Sequence, residues 1–508
     1  MDVITETTIF GPPGTGKTTR LINIVKEELE SGTSPERIAF VSFSRKAAEE
    51  ARERAAAKLN MDANQMVWFR TLHSFAYQCL GLSPNRVLRG SDYSRIGALL
   101  GLEFSSNASL TMQEGALFSP GKGGDAYLSM LQMARVTGRT IEEEFSRTAD
   151  RRLHFQQLKL VDQVIRDYKK ETNKLDFVDM IEDFIEQGHC PSLDVLIVDE
   201  AQDLVPLQWK MVHEVLKPNS KRVYYAGDDD QCIYSWMGVE VKDFLNASDN
   251  KILLDKSYRL PISVHRMADS LVKQLGTRQK KFWKPTDEAG SVVWHRDILD
   301  VDLTTGEWLI LARTNFIANR IATTLKEQGF LFWREGSGWS ISPNVLTGIE
   351  VWLKLCKDQQ LSAQELKKLS TLMTSSVITK AGKKILANLG PEKTYKLTDI
   401  QDLCSLTATP ETPWYEVLKV SENERIYISS VRRMGESILT GTPRIKISTI
   451  HKAKGGEADN VVLLLDSSRA CAESEDQDSE IRTFYVGLTR AKKALHLIEP
   501  QTQYGFQI

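Results

Sequence analysis

The chain has 508 residues, of which 41% are hydrophobic and 26% charged, with a formal net charge of −2. This is ordinary globular composition with room for three or four domains, and 65 basic against 67 acidic residues confine any nucleic-acid contact to a local groove. No apolar run reaches the length of a membrane span, and Met1-Asp2-Val3 opens no basic segment ahead of an apolar one, so neither a membrane anchor nor a secretory leader is expected.

Thr7 to Phe10 reads as a short buried strand, followed at once by Gly11-Pro12-Pro13-Gly14-Thr15-Gly16-Lys17-Thr18-Thr19. This is a G-x-x-x-x-G-K-[ST] loop in its proper setting, because Leu21, Ile24, Val25 and Leu29 recur at helical spacing after it. Glycines let backbone wrap a phosphate, and amide hydrogens at the helix start point at it. Lys17 is then placed to reach the β- and γ-phosphates of a nucleotide, and the Thr18 hydroxyl to hold Mg²⁺. Strands are expected at 37–43, 66–69, 194–198 and 222–226, alternating with helical runs such as Lys46 to Leu59, which points to an α/β body with a parallel sheet. The apolar run Asp194 to Val198 ends in Asp199-Glu200-Ala201-Gln202-Asp203. Asp199 at a strand tip suits Mg²⁺, and Glu200 beside it suits the orientation or deprotonation of an attacking water.

A mostly helical segment, including Thr140 to Lys170, separates Phe75 from Asp194. A second body starts near Lys251, with strands expected at 307–312, 445–449, 460–466 and 494–498. It holds a second helical segment rich in Leu and Lys, with a loop at Thr407 to Pro410. Asp466 to Glu480 reads as a solvated acidic loop. Cys79, Cys190, Cys232, Cys356, Cys404 and Cys471 lie far apart with no CxxC pair, which argues against a disulfide framework, a zinc site or an iron–sulfur cluster. A reducing cytoplasm is expected, of a bacterium or of a phage-infected host.

From Asp199-Glu200-Ala201-Gln202-Asp203 onward the pattern resembles the superfamily 1 DNA helicases of the UvrD/PcrA/Rep group. Further blocks follow in that family's order: Val41 to Ala48, Thr71 to Phe75, Gly227 to Trp236, Ser257-Tyr258-Arg259, Ser448 to Glu457 and Tyr485 to Ala491. The resemblance implies two RecA-like P-loop domains with parallel sheets, each carrying a mostly helical insertion. The first core would be 1–85 and 190–250 with its insertion at 86–189; the second 251–340 and 441–508 with a reduced insertion at 341–440. It further implies that Arg259 and Arg490 reach the γ-phosphate, that Gln231 senses it, that Tyr258 stacks on adenine and that Glu457 meets the ribose. Phe43 and Trp236 match the family's base-stacking aromatics, although most aromatics in proteins are core residues. Arg45, Thr71, His73, Lys452 and Lys454 would supply phosphate contacts, by charge or hydrogen bond.

The activity so implied is ATP- and Mg²⁺-dependent movement along single-stranded DNA with 3′→5′ unwinding of tailed duplex, in repair or replication, with any protein loader unidentified. A translocase that strips proteins from DNA without unwinding, an RNA helicase and a clamp that does not turn over are the rival readings. Three departures bear on this. No glutamine occurs among Met1 to Phe10, where the family carries a block that reads the adenine edge, so GTP and CTP are substrates to consider. The second insertion is short, and the chain ends soon after Leu497-Ile498, which leaves no room for a nuclease or a partner-binding tail.

Overall fold

The computed structural model describes residues 4–105, 123–147, 153–435 and 443–508. Met1 to Val3, residues 148–152 of the expected Thr140–Lys170 helical stretch and residues 436–440 of the expected second insertion lie outside the described residues. The chain forms two compact units, both discontinuous: residues up to 292 with 469–494, and 293–468 with 495–507.

The first unit is built on strands β1 (Thr5–Phe10), β2 (Ile38–Ser42), β3 (Phe69–Thr71), β4 (Leu193–Asp199), β5 (Ser220–Gly227) and β6 (Lys251–Leu253). Their order is β3-β2-β4-β5-β1-β6, and the pairs are parallel. β2 is buried throughout and β4 nearly so, as a central parallel strand covered on both faces requires. Ile9, Phe40, Val195 and Ile197 pack on one face against Leu21, Ile24 and Val25 of the helix Lys17–Glu30. Val41, Leu196 and Val198 pack on the other, against Leu72 and Phe75 of the helix Leu72–Cys79. β3 starts three residues later than the expected 66–69, because Met66 closes a 3₁₀ turn onto Ala63. β5 stands between β1 and β4, so three carboxyl-terminal strand tips lie side by side, the place where open parallel sheets bind ligands.

The helices Gly90–Leu100, Gly123–Thr137, Ile141–Ser146, Phe155–Thr172 and Phe177–Gln187 intervene between β3 and β4, with a core of their own around Tyr93, Ile96, Leu158 and Val161. Asp176 caps the last of them by accepting from the backbone N–H groups of Val178 and Asp179. Arg135 and Lys169 both bond that carboxylate, at 3.0 Å. Burial opposes the charge, but these cations pull the Asp176 pKa down to about 2.

The second sheet holds β7 (Ser291–His295), β8 (Trp308–Ala312), β9 (Trp333–Arg334), β10 (Gly338–Trp339), β13 (Ile445–Thr449), β14 (Ala458–Leu464) and β15 (Ala491–Ile498), in the order β10-β9-β13-β8-β14-β15-β7. β11 (Leu361–Ser362) and β12 (Thr394–Tyr395) form a separate antiparallel pair. They lie among six helices from Pro343–Cys356 to Glu422–Arg433, whose core surrounds the buried Trp352. The expected loop at Thr407 to Pro410 is present.

The acidic stretch Asp466 to Glu480 is largely exposed between Arg469 and Gln477, as expected, but it is buried at both ends. Asp466 is 2% exposed; it pairs with Arg320 at 2.7 Å and accepts from the backbone N–H groups of Gln501 and Thr502. The helix Gln477–Leu488 begins within the stretch. Charge density along the chain could not reveal partners more than thirty residues distant. No helix among the described residues is long and apolar enough to cross a membrane.

Candidate nucleotide and nucleic-acid sites

The P-loop turns from the tip of β1 into the helix that starts at Lys17. Gly14 sits at φ +73°, and a Cβ there would fall 2.3 Å from the Cβ of Arg259, so this position accepts only glycine. The segment Ser257-Tyr258-Arg259 braces the loop: Tyr258 N–H donates to the Gly14 carbonyl at 2.8 Å, and the Ser257 hydroxyl to that of Pro13 at 2.8 Å. The Tyr258 side of this brace is open to solvent, the residue being 73% exposed, and its ring edge approaches Gly16 at the helix start.

Lys17 Nζ donates to Glu200 Oε1 at 2.7 Å and lies 3.8 Å from Asp199 Oδ1. Burial alone would discharge Lys17, but Glu200 and Asp199 hold its pKa above the ordinary value. Asp199 is pushed up to about 6, by burial first and by the Glu200 charge, against the pull of Lys17. Glu200 itself occupies the left-handed region, φ +52°, a conformation that costs a non-glycine residue about 1–2 kcal/mol and is retained mainly where it serves a purpose. Thr18 is the second residue of the helix. A hydroxyl and a carboxylate in reach of a phosphate loop are hard oxygen donors, the set that Mg²⁺ prefers, and the raised Asp199 pKa marks a carboxylate short of positive charge.

At the tip of β5, Gln231 Nε2 donates to Asp228 Oδ2 at 2.7 Å, and Gln231 Oε1 accepts from Arg490 Nη2 at 2.8 Å. Arg490 is 1% exposed and is further fixed by donation from Nε to the Val486 carbonyl at 2.9 Å. Asp228, Asp229 and Asp230 are all buried, each within 2.9 Å of Lys281 Nζ, which is fully buried too. Arg278 adds a two-pronged bond to Asp230, at 2.8 and 2.6 Å.

A cavity of about 700 Å³ opens at the tips of β2 and β3, lined by Phe43, Thr71, His73 and four arginines, 45, 52, 70 and 89. Burial and the neighbouring Arg52 lower the Arg70 pKa, the mark of cations crowded where an anion would relieve them. Burial also drops His73 to about 4, so its imidazole is neutral at pH 7 and bonds without charge. The Thr71 hydroxyl caps the helix Leu72–Cys79 by accepting from Ser74 N–H. The Phe43 ring stacks on Tyr234 with centroids 5.4 Å apart, and Tyr234 meets Trp236 edge-on at 6.4 Å, making a row of three aromatics.

Two family models match the chain: the UvrD/REP helicase N-terminal domain over residues 3–251, and the UvrD-like helicase C-terminal domain over 350–502. The chain belongs to the UvrD/PcrA group of superfamily 1 helicases. It is 25% identical to the ATP-dependent DNA helicase PcrA of Bacillus subtilis, over 95% of this chain and 79% of that protein. The PcrA of Leuconostoc citreum is 22% identical over 96% and 79%. The two α/β units with their largely parallel sheets are the RecA-like bodies of this helicase family.

In the helicase's second unit, Lys452, Lys454 and Glu457 sit on the turn that joins the tip of β13 to β14. Lys452 Nζ approaches Gly336, where a Cβ would lie 2.9 Å away, and Glu457 is exposed. Sequence reasoning missed Tyr234, Lys281 and the arginines 52, 70 and 89. Tyr234 lies within Gly227–Trp236, two residues before Trp236, where a further aromatic is the one local signal. Lys281 lies about fifty residues beyond the aspartates it neutralises and left no local signal.

Proposed function

We propose that this helicase is an ATP-dependent DNA motor that moves 3′→5′ along single-stranded DNA and unwinds tailed duplex. The observation that carries the reading is the gathering of Lys17, Asp199, Glu200 and Gln231 at adjoining strand tips with Arg490 bonded to Gln231, together with an arginine-lined cavity whose Phe43 begins a row of aromatic rings. In this reading Lys17 leaves Glu200 for the β- and γ-phosphates. Thr18 and Asp199 would hold Mg²⁺, which neutralises phosphate charge when bound. Glu200, released from its ion pair, takes the proton of the water whose oxygen attacks the γ-phosphorus as the bond to the β-phosphate oxygen breaks. Arg259, Arg490 and Gln231 meet the γ-phosphate, Gly11, Pro12, Gly14, Thr15, Gly16 and Thr19 complete the cradle, and Tyr258 and Glu457 take the base and ribose. We assign a first core to 1–85 with 190–250 and a second to 251–340 with 441–508, with insertions at 86–189 and 341–440, the segments 251–292 and 469–494 of the second core packing with the first unit.

Phe43 and Trp236 stack on bases, and Arg45, Thr71, His73, Lys452 and Lys454 hold the backbone. Each stacked base contributes about 1–3 kcal/mol without reading sequence. Trp236→Ala should therefore lower the rate of movement per ATP hydrolysed far more than it lowers DNA-free ATPase, measured by strand displacement alongside phosphate release. Equal losses would make Trp236 a core residue. Lys454→Ala should reduce the slope of log affinity against log salt by ~0.7, one phosphate's share on a single strand. His73→Ala should weaken binding at pH 7 while leaving that slope unchanged, because the imidazole is neutral there.

The deciding experiment is steady-state hydrolysis of ATP, GTP and CTP with and without single-stranded DNA or RNA. Stimulation by DNA alone, with ATP preferred, is the expected result. Equal stimulation by RNA, or none by either, refutes the reading.

A further inference from the structure

Gln202 lies between the proposed base and the γ-phosphate contacts and has no part in the reading above. It is 1% exposed and sits in the 3₁₀ turn Ala201–Asp203 that follows Glu200. Its amide is used at both ends. Oε1 accepts from the backbone N–H of Asp228 at 3.1 Å, and Nε2 donates to Glu200 Oε2 at 2.6 Å and to Asp203 Oδ2 at 3.2 Å. An N–H can only donate and a carboxylate can only accept, so these partners leave the amide one orientation. Room for it depends on Gly227, where a Cβ would fall 2.1 Å from Gln202 Oε1.

The same logic fixes the next amide. Gln231 must turn Nε2 toward the Asp228 carboxylate and Oε1 toward the Arg490 guanidinium. Lys281 holds the other oxygen of Asp228 at 2.6 Å, so the link between the two amides is itself clamped in a buried charge cluster. Oriented hydrogen bonds, linked through the covalent frame of Asp228 from its backbone N–H to its carboxylate, therefore join the Glu200 carboxylate to Arg490 by way of Gln202, Asp228 and Gln231.

We propose that Gln202 is a positioning residue that ties the orientation of Glu200 to that of Gln231 and Arg490, so that base and γ-phosphate contacts are aligned as one unit. The proposal rests on Glu200 being the base. When Lys17 is drawn to phosphate, Glu200 loses its bond at Oε1, and Gln202 keeps hold of Oε2. Coupling of this kind is reciprocal: whatever fixes one end fixes the other.

The test is single-turnover and steady-state ATPase of the full chain carrying Gln202→Met, Gln231→Ala and both together. Gln202→Met keeps the length and removes every hydrogen bond. It should lower kcat about 10²-fold, the size of loss that misplacing a catalytic group produces, with KM for ATP within about twofold of wild type. The double variant should be no slower than the slower single one, because either cut breaks the same run. Losses that multiply in the double variant overturn the proposal. So does a Gln202→Met rate within about threefold of wild type while Glu200→Gln abolishes turnover. If Glu200→Gln itself turns over normally, the base assignment and this proposal fall together. Should Gln202→Met not fold, Gln202→Asn serves: the shorter amide cannot span from Glu200 to the Asp228 N–H, so kcat should fall with KM for ATP held within about twofold, and a kcat within about threefold of wild type refutes the role.

Discussion

Replacing Arg490 with alanine should lower kcat by at least ~10³-fold, the lower end of what an arginine at a γ-phosphate supplies in related phosphoryl transfer. The side chain is poised for that work. Its Nε is anchored on the Val486 carbonyl, one Nη2 bond runs to Gln231, and a second reaches the Thr489 hydroxyl at 3.2 Å. A planar fork anchored at Nε and Nη2 is held in one orientation, which a lysine cannot reproduce. Arg490→Lys should therefore recover little of the loss. Because the residue is buried, thermal melting must accompany the kinetics. A variant that melts near wild type, binds ATP with unchanged KM and loses kcat reports on the transition state. A kcat within about threefold of wild type would show that Arg490 is a structural cation.

The second large effect is expected at Lys17. Lys17→Ala should cut turnover by ~10²–10³-fold or more, as loss of a preorganised donor does, while binding of single-stranded DNA is kept. It should also change how stability depends on pH. Lys17 now lies against Glu200 and near Asp199, and removing it leaves two adjacent carboxylates without their cation. Asp199, already held near 6 by burial and by Glu200, moves higher still. A carboxyl whose folded pKa exceeds its unfolded value stabilises the fold when protonated. Its contribution is complete below about pH 4 and is lost as pH rises through the folded pKa. The variant should thus melt about 2–4 °C below wild type at pH 8, for a cost near 1 kcal/mol tempered by the partial exposure of Glu200. At pH 5.5 the gap should close. A gap that is constant with pH would mean that Lys17 does not govern the titration of Asp199.

The parts of this site that could be read from the chain are those where chemistry and local structure coincide. Gly11 to Thr18 announces a phosphate loop because turn, helix start and cation are contiguous, and Asp199-Glu200 announces itself at the end of an apolar strand. The expected strands appear with small shifts at their ends, since buried parallel strands are marked by composition alone. Where partners are far apart in sequence, reading failed. Asp228-Asp229-Asp230 stands in a block that resembles the family, but nothing nearby in the chain marks Lys281 and Arg278 as the cations that neutralise it. Asp466 misled in the same way. Gln202 was in plain view within its block, but the N–H that orients it belongs to Asp228, twenty-six residues on, and neither periodicity nor propensity carries such information.

The first unit is completed by residues 469–494, which return to it after the chain has built most of the second. That segment delivers Arg490, and it delivers Arg482, which donates to the carbonyls of Asp229 and Thr277 at 3.1 and 2.6 Å. A ribosome making this protein therefore releases a P-loop, a Walker-type acidic pair and a glutamine long before it releases the arginine that Gln231 holds. The nascent first unit would have its nucleotide loop before it has Arg490. For the same reason gene fission after residue 292 should yield a half-protein whose turnover is restored only when a peptide spanning 469–494 is added back.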